Sequence, residues 1–341
     1  MTSPLYAAAG VDLDAAEDAK ARIGRLVAAA RSSLSVGAVG AFGGMVRLPP
    51  GMRQPVLVMS TDGVGTKVLV ALQAGRFDTV GEDLVNHSVN DILVHGARPL
   101  AFMDYIAGHR LPAPMIADVV AGIARGCQQH QMALTGGETA QMPGLYAEGT
   151  FDLAGTVIGV VEEDQALHGD HIVPGDVLVA WASTGLHTNG YSLARRVLFD
   201  QMQLTLASQL PGGNQTVADA LLAVHRSYVQ AITPVLSLMH GLAHITGGGI
   251  GGNLVRILPA SVTAVVDTTS WQWPTLFRVI ADGGKVSLAE MRDVFNLGVG
   301  MIGVVAPGDV AAVQRAAAAA DVDCWKLGEV GSGSGTVEFE P

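Results

Sequence analysis

Residues able to do chemistry fall into five short segments, most of them at the end of an apolar run. The first is Ser60-Thr-Asp-Gly-Val-Gly-Thr-Lys67, which follows Val56-Leu57-Val58-Met59, a run that reads as a buried strand. Asp62, Gly63, Gly65, Thr66 and Lys67 place a carboxylate, backbone N–H groups and an ammonium within a few residues. That inventory suits a metal and the phosphates it bridges. Asp-Gly is equally at home in a plain turn, so this segment carries weight only in company.

The second segment supplies company. Asp83, Asn86, His87, Asn90 and Asp91 recur at i, i+3, i+4, i+7 and i+8 and so share one face of a helix. A solvated face is the plain alternative, but such faces usually carry Lys, Glu or Arg. Short oxygen-bearing side chains suit convergence on a hard cation, with Asp91 as ligand and Asn90 beside it. The third segment, Thr135-Gly136-Gly137-Glu138-Thr139, again runs a short strand into glycines and an acid; a glycine turn with an incidental Glu138 is its alternative. Asp62, Asp91 and Glu138 together match Mg²⁺, which binds through one or two carboxylates plus substrate phosphates.

The fourth segment, Ser183-Thr-Gly-Leu-His-Thr-Asn-Gly-Tyr-Ser192, lies between a strand and a helix. Backbone N–H groups at that position favour an anion, and His187 could move a proton or bind a phosphate. Thr188 or Asn189 could equally be a helix N-cap, which leaves His187 unexplained. The fifth, His244-Ile-Thr-Gly-Gly-Gly-Ile-Gly-Gly-Asn253, contains G-x-G-x-x-G at Gly247, Gly249 and Gly252. Too few residues precede Pro259 for the helix of a dinucleotide-binding crossover. A glycine nest against phosphate or substrate fits better. A P-loop pattern and a G-x-S-x-G nucleophile elbow are both absent.

These segments need a frame to hold them. The chain has 341 residues, enough for two domains. Its net charge of −11, from 20 Lys+Arg against 31 Asp+Glu, argues against nucleic acid or an anionic membrane as partner. Any phosphate site must therefore be local. Forty-three glycines are about twice the usual share and gather at segment ends. Cys127 and Cys324 show no metal spacing, which suggests reduced thiols and a cytoplasmic protein. No run of about 18 uncharged apolar residues suggests a membrane span, and the N-terminus lacks the pattern of a secretory signal.

Hydrophobic periodicity predicts a mixed α/β (α+β) chain. A helix is expected near Ala15–Ala30. The first unit then reads as strand 56–60, helices 66–74 and 80–95, strand 99–106, helix 114–130, and strands 132–135 and 151–161. The charged stretch Glu162 to Asp176, with Gly169, Pro174 and Gly175, marks the boundary, dividing the chain into 1–168 and 169–341. Beyond it come strand 177–183, helix 189–200, helices near 216–240, strands 243–246 and 262–266, helix 274–282, strand 298–305, helix 308–320 and strand 325–330. Gly331-Ser-Gly-Ser-Gly335 reads as a hairpin turn before the edge strand Val337-Glu-Phe-Glu340.

Taken together, the motifs resemble the phosphoribosylformylglycinamidine cyclo-ligase family, also called aminoimidazole ribonucleotide synthetase. The likeness is carried by Ala9-Gly10-Val11-Asp12, Gly40-Ala-Phe-Gly-Gly44, Thr61 to Lys67, Val89-Asn-Asp-Ile-Leu93, Gly136-Gly-Glu-Thr139 and Met142-Pro-Gly144. It continues through Gly185-Leu-His187, Asn189-Gly-Tyr-Ser-Leu193, His244 to Gly249 and Phe295-Asn-Leu-Gly-Val-Gly-Met301. Departures are Gln141 for the usual Glu, Thr184 and Thr188 for serines, Val224-His225 for Pro-Thr, and His87 where a small or sulfur side chain is frequent.

The resemblance implies a two-domain PurM-like fold, in which the N-terminal domain binds ATP and Mg²⁺ and pairs its sheet across a homodimer. The C-terminal α/β domain would serve substrate and phosphate, and the site would lie near the subunit interface. It implies ATP-dependent closure of an imidazole ring in purine synthesis. In that scheme Asp62, Asp91 and Glu138 hold Mg²⁺. Gly63, Gly65, Thr66, Lys67, Asn90, Gly136 and Gly137 meet ATP and its phosphates. His187 assists proton movement or the departing phosphate, and Asn189, His244, Thr246 and Gly247 to Gly249 seat the substrate, with Asp62, Lys67 and His187 as the catalytic set. The alternatives are a formylglycinamidine synthetase-like or thiamin-phosphate kinase-like enzyme of the same superfamily, or a nucleotide-binding protein without turnover.

Overall fold

A computed structural model describes residues 22–28, 30–36 and 43–341. The motif Ala9–Asp12, the start of the helix expected from Ala15, and residues 40–42 of the next motif lie outside them. The chain forms two compact units, one ending at Glu163 and the other running from Asp164 to Pro341. Residues 93–96 belong to the second unit. Among the described residues no helix is long and apolar enough to cross a membrane.

In the first unit, β1 (Ser35–Val36) and β2 (Met45–Val46) form a short ribbon. The main sheet contains β3 (Pro55–Gly63), β4 (Arg98–Gly108), β5 (Ala133–Gln141) and β6 (Phe151–Glu162) in the order β3-β6-β4-β5. Only the β4–β5 pair is parallel. Helices Asp78–Leu93 and Ala113–Gln129 run between these strands. They pack so closely that a Cβ on Gly81 would sit 2.0 Å from the Val119 carbonyl oxygen, and one on Gly122 would sit 1.9 Å from that of Asp78. Glycine is required at both crossings. The helix Asp78–Leu93 also presses on the sheet, where Leu84 and Ile92 fill the space above Gly155 and Gly159. On the opposite face the ribbon reaches Leu100, Ala101 and Val160, while Leu57 and Met59 stand 48% and 61% exposed.

The second unit is built on a six-stranded sheet with buried side chains on both faces. Its strands are β7 (Val177–Ala182), β8 (Met239–His244), β9 (Val262–Asp267), β10 (Val299–Val305), β11 (Cys324–Ser332) and β12 (Thr336–Glu340), ordered β12-β9-β11-β7-β10-β8. Strand alternation sends Val177, Val179 and Trp181 into one core with Tyr228, Ile232, Val313 and Ala317. Leu178 and Ala180 enter the other, with Ile250, Leu254, Ile302 and Val304. Burial on both sides explains why β7 and β10 read as unbroken apolar runs.

Three expectations change. The Gly331–Gly335 segment is not a hairpin turn: β12 pairs in parallel with β9, Thr336 opposite Thr263 through Glu340 opposite Asp267. Strand β11 already has β7 on one edge and β9 on the other, so the outer edge of β9 was the edge open to it. The helices expected near 216–240 are short pieces, Val217–Leu221, Val229–Ile232 and a 3₁₀ segment Thr233–Leu238, ahead of a strand that starts at Met239. An unexpected helix, Leu288–Val294, is capped by Ser287 Oγ accepting from Glu290 N at 3.2 Å, the Ser-x-x-Glu spacing of a capping box. The glycine-rich segment after β8 opens only the six-residue helix Gly249–Leu254, and β8 and β9 are not neighbours, so no dinucleotide-binding crossover exists there.

Candidate functional site

In the first unit, β3 registers Asp62 against Gly155 and Ser60 against Val157. Both side chains thereby point to the face that carries the helix Asp78–Leu93. That helix answers with His87 and Asp91, four residues apart and on one side. His87 Nε2 lies 2.6 Å from Asp62 Oδ2 and 3.5 Å from Asp91 Oδ2. Ser60 Oγ donates to Asp91 Oδ2 at 3.0 Å, and the Gly63 N–H donates to Asp62 Oδ1 at 2.7 Å. The imidazole is buried, whereas Asp62 is half-exposed and Asp91 a quarter exposed.

The electrostatics follow from that arrangement. Burial alone would depress the His87 pKa, but hydrogen bonds and charge from Asp62 and Asp91 outweigh it and raise the pKa to about 9. His87 is an imidazolium at neutral pH. For Asp62, burial pushes up while His87 and the Gly63 N–H pull down, and the net shift is downward. His130, on the same unit, shows what happens without carboxylates: burial drives it down to about 4. Asp62 and Asp91 therefore present partly open carboxylate oxygens beside a buried cation. A hard, oxygen-seeking cation is the ligand such oxygens fit.

The polar face of this helix is not a solvated one. Asp83, Asn86, His87 and Asn90 are all buried. Lys67, expected beside a phosphate, is wholly buried with its Nζ 2.7 Å from Asp83 Oδ2. It is the first residue of helix Lys67–Ala74, and its side chain reaches a carboxylate instead of an open surface. Gly63 ends β3, and Gly65 and Thr66 lie in the turn between it and this helix, with Gly65 at φ +55°.

Glu138 does not join Asp62 and Asp91 within the chain. Two strands, β6 and β4, separate β3 from β5. The register runs Asp62–Gly155–Asp104–Gly137 across one face, which pairs Glu138 with Tyr105 on the other. Gly136 and Gly137 sit beside Glu138 on β5, just past a bulge at Thr135. Asp104 was missed in the sequence. It projects beside Gly137, where an added Cβ would meet its Oδ1 at 2.5 Å, and burial raises its pKa to about 7.

The second unit assembles a different kind of site. Asn296 ties down the loop after β7: its Nδ2 donates to the Gly185 carbonyl at 2.9 Å, and its Oδ1 accepts from Ser183 Oγ at 3.1 Å. The loop delivers His187 into the interior at φ +60°. His187 Nε2 accepts the Thr184 N–H at 3.2 Å, and its ring stacks on His225 at 3.9 Å between centroids. His225 Nε2 lies 3.1 Å from His244 Nε2 at the end of β8. Beyond His244, Asn253 Nδ2 donates to the carbonyls of Thr246, Gly247 and Gly249 at 3.3, 3.2 and 2.8 Å. This amide holds a turn in which Gly248 and Gly249 take φ +93° and +61°, and a Cβ at Gly249 would lie 1.8 Å from the Arg292 carbonyl. Asn189 reaches the same turn, its Oδ1 3.3 Å from where a Gly247 Cβ would stand. His187, Asn189, His244, Thr246 and Gly247 to Gly249 thus belong to one neighbourhood. His225 and the two structural asparagines complete it; Asn253 and Asn296 lie within segments that stand out in the sequence, and His225 stands out there as a departure.

Comparison with known proteins places this architecture. Residues 44–161 match the N-terminal domain of AIR synthase related proteins and residues 173–339 match the C-terminal domain. Phosphoribosylformylglycinamidine cyclo-ligase of Sorangium cellulosum is 48% identical, over 99% of this chain and 98% of its own. The protein of that name from Myxococcus xanthus is 47% identical over 98% and 99%. Among solved structures, thiamine-monophosphate kinase from Stenotrophomonas maltophilia superposes with TM-score 0.67 at 20% identity, over 93% of this chain and 94% of that one. The hydrogenase maturation protein HypE, crystallised with ATP, gives 0.63 at 18%, over 92% and 88%. The fold is shared with these kinase and maturation proteins, but identity across nearly the whole length is shared with the cyclo-ligases, and the chain belongs to the phosphoribosylformylglycinamidine cyclo-ligase family.

Proposed function

We infer that this chain closes the imidazole ring of 5-aminoimidazole ribonucleotide from formylglycinamidine ribonucleotide, converting ATP to ADP and phosphate, in purine biosynthesis. The observation that carries this is the 48% identity to a cyclo-ligase over 99% of the chain. An amide oxygen is a poor leaving group, so the γ-phosphoryl group of ATP first passes to the formyl oxygen. The ring-forming nitrogen then attacks that carbon, the C–O bond breaks, phosphate leaves with the oxygen, and the nitrogen gives up a proton. Little covalent chemistry is asked of the protein; positioning and charge stabilisation dominate.

Mg²⁺ belongs to this proposal, and the half-open oxygens of Asp62 and Asp91 fit it. When bound there it would neutralise charge on the phosphates. His87 and Ser60 fix the two carboxylates. Gly63, Gly65, Thr66 and Asn90 border them for ATP. Lys67, buried against Asp83, acts as a positioning residue that anchors the loop from behind. His187 serves the proton or the departing phosphate, and Asn189 with the Thr246–Gly249 turn seats the substrate. Glu138, on the face of β5 turned away from Asp62, contributes with the neighbouring Gly136 and Gly137 from across a subunit boundary. The exposed Leu57 and Met59, with Tyr105 on the same sheet face, support a homodimer that pairs these sheets. Free thiols at Cys127 and Cys324 suit a cytoplasmic enzyme.

The test is direct: supply ATP, Mg²⁺ and formylglycinamidine ribonucleotide, and measure both ADP and the aminoimidazole product. ADP and product in equal amounts are expected. ADP release without ring closure, or phosphorylation of thiamin monophosphate instead, would overturn the assignment.

A further inference from the structure

Three histidines of the second unit share one buried pocket. His187, His225 and His244 are 1%, 0% and 6% exposed, and one ring nitrogen from each lies within 4.8 Å of the others. They come from separate elements: the loop after β7, the segment leading to helix Val229–Ile232, and the end of β8. No carboxylate is part of this group. The closest approach is His225 Nε2 to His244 Nε2 at 3.1 Å. At that distance the two nitrogens either share the proton of an N–H···N hydrogen bond or face a common cation.

We propose that this pocket is a binding site for a late first-row divalent cation, Zn²⁺ above all, held by Nε2 of His225 and His244 with His187 as the third ligand. Three features argue for it. Nitrogens bound to one tetrahedral zinc at 2.0–2.1 Å stand roughly 3.3 Å apart, close to the 3.1 Å observed. The second is the outer partner that metal-binding imidazoles nearly always have: His225 Nδ1 lies 3.4 Å from Thr188 Oγ1. With the proton on Nδ1, the lone pair that a metal would accept is on Nε2. The third is donor type, since three imidazoles suit Zn²⁺, Ni²⁺ or Co²⁺ and not the oxygen-seeking Mg²⁺.

His187 must turn to join. Its ring lies at 23° to that of His225, so its in-plane lone pairs run alongside those of its neighbour. Rotation about its side-chain bonds exchanges the hydrogen bond from Thr184 N for a metal bond.

The experiment uses the full chain stripped with chelator and titrated with Co²⁺ alone, followed by ligand-field absorption, and with Zn²⁺ alone, followed by calorimetry. One equivalent is expected, with the absorption of a low-coordinate nitrogen site. His225→Gln keeps size and hydrogen-bonding capacity but removes a ligand, and should weaken binding about 100-fold. Thr188→Val removes only the outer partner and should weaken it about 10-fold. His240→Gln, at a histidine paired with Asp176 outside the cluster, should change nothing. Should His225→Gln fail to fold by circular dichroism, Thr188→Val carries the test. Absence of a stoichiometric cobalt band, or unchanged affinity in both variants, means that a shared proton joins His225 to His244, and the metal site is wrong.

Discussion

The two units hold their functional groups by opposite physical means. In the first, ion pairs do it: His87 between Asp62 and Asp91, and Lys67 against Asp83. In the second, amides and stacked rings do it: Asn253 and Asn296 knot two loops through backbone carbonyls, and three imidazoles lie against one another. Paired charge in a low dielectric is strong but intolerant, because removing one partner strands the other. Amide knots hold shape, and their loss relaxes a loop without leaving a buried charge. The first unit should therefore respond to substitution in stability and turnover, and the second chiefly in substrate affinity.

The hardest test of this contrast is Lys67→Met. It leaves Asp83 buried without its ammonium, and a loss of about 3–5 kcal/mol in unfolding free energy is expected. The double variant Lys67→Met/Asp83→Leu should recover most of it, as read by urea denaturation. A single variant as stable as the wild type would show that the pair does not hold the first unit together. Next in size is Asp62→Asn, which keeps shape and removes charge. Turnover in the ring-closing assay should fall about 100- to 1,000-fold, with a smaller change in KM for the formylglycinamidine substrate. An unaltered kcat would take Asp62 out of the charge-handling role.

Asn253→Ala probes the other side. Three carbonyls lose their shared donor, and the turn Thr246 to Gly249 loosens. The expectation is about 1–3 kcal/mol of stability and a KM for the nucleotide substrate raised roughly 10-fold, with kcat changed much less. If kcat fell as far as in Asp62→Asn, the division between charge and shape would fail.

Much of this contrast can be read from residues alone, and the limits have physical causes. Asp62 was legible because an apolar strand ends there in glycine and acid, a local pattern. The helix face from Asp83 to Asp91 was legible as periodicity, but whether it met solvent or protein depends on which helix and strand cover it. The direction of Lys67 was invisible for the same reason: Asp83 is sixteen residues away in sequence and meets it only through packing. Glu138 shows how parity fails, since a single bulge at Thr135 sets which face every later residue of β5 takes. The path of β12 turned on an edge already occupied by β7 and β9, a fact about the whole sheet. The capping box at Ser287 and Glu290, by contrast, was local and should have announced its helix.

The smallest effect sharpens the comparison most. Among the described residues Asp104 has no cation comparable to His87 for Asp62, and burial lifts its pKa to about 7. In the unfolded chain it ionises near the ordinary 3.8. Between those values the native state holds a proton that the unfolded state has released, so stability falls as pH rises through this window. Below pH 4 both states are protonated and the residue costs nothing; above 7 both are ionised and the full cost applies. The shift sets a ceiling near 4 kcal/mol, and the effective dielectric around a part-buried group reduces the expected cost to about 1 kcal/mol. Asp104→Asn should therefore match the wild type in urea at pH 4 and exceed it by that amount at pH 8. A gain that is constant with pH would mean that packing, not charge, separates the two side chains. A loss growing with pH would mean that the ionised carboxylate has a native partner, and that the first unit pairs this charge as well.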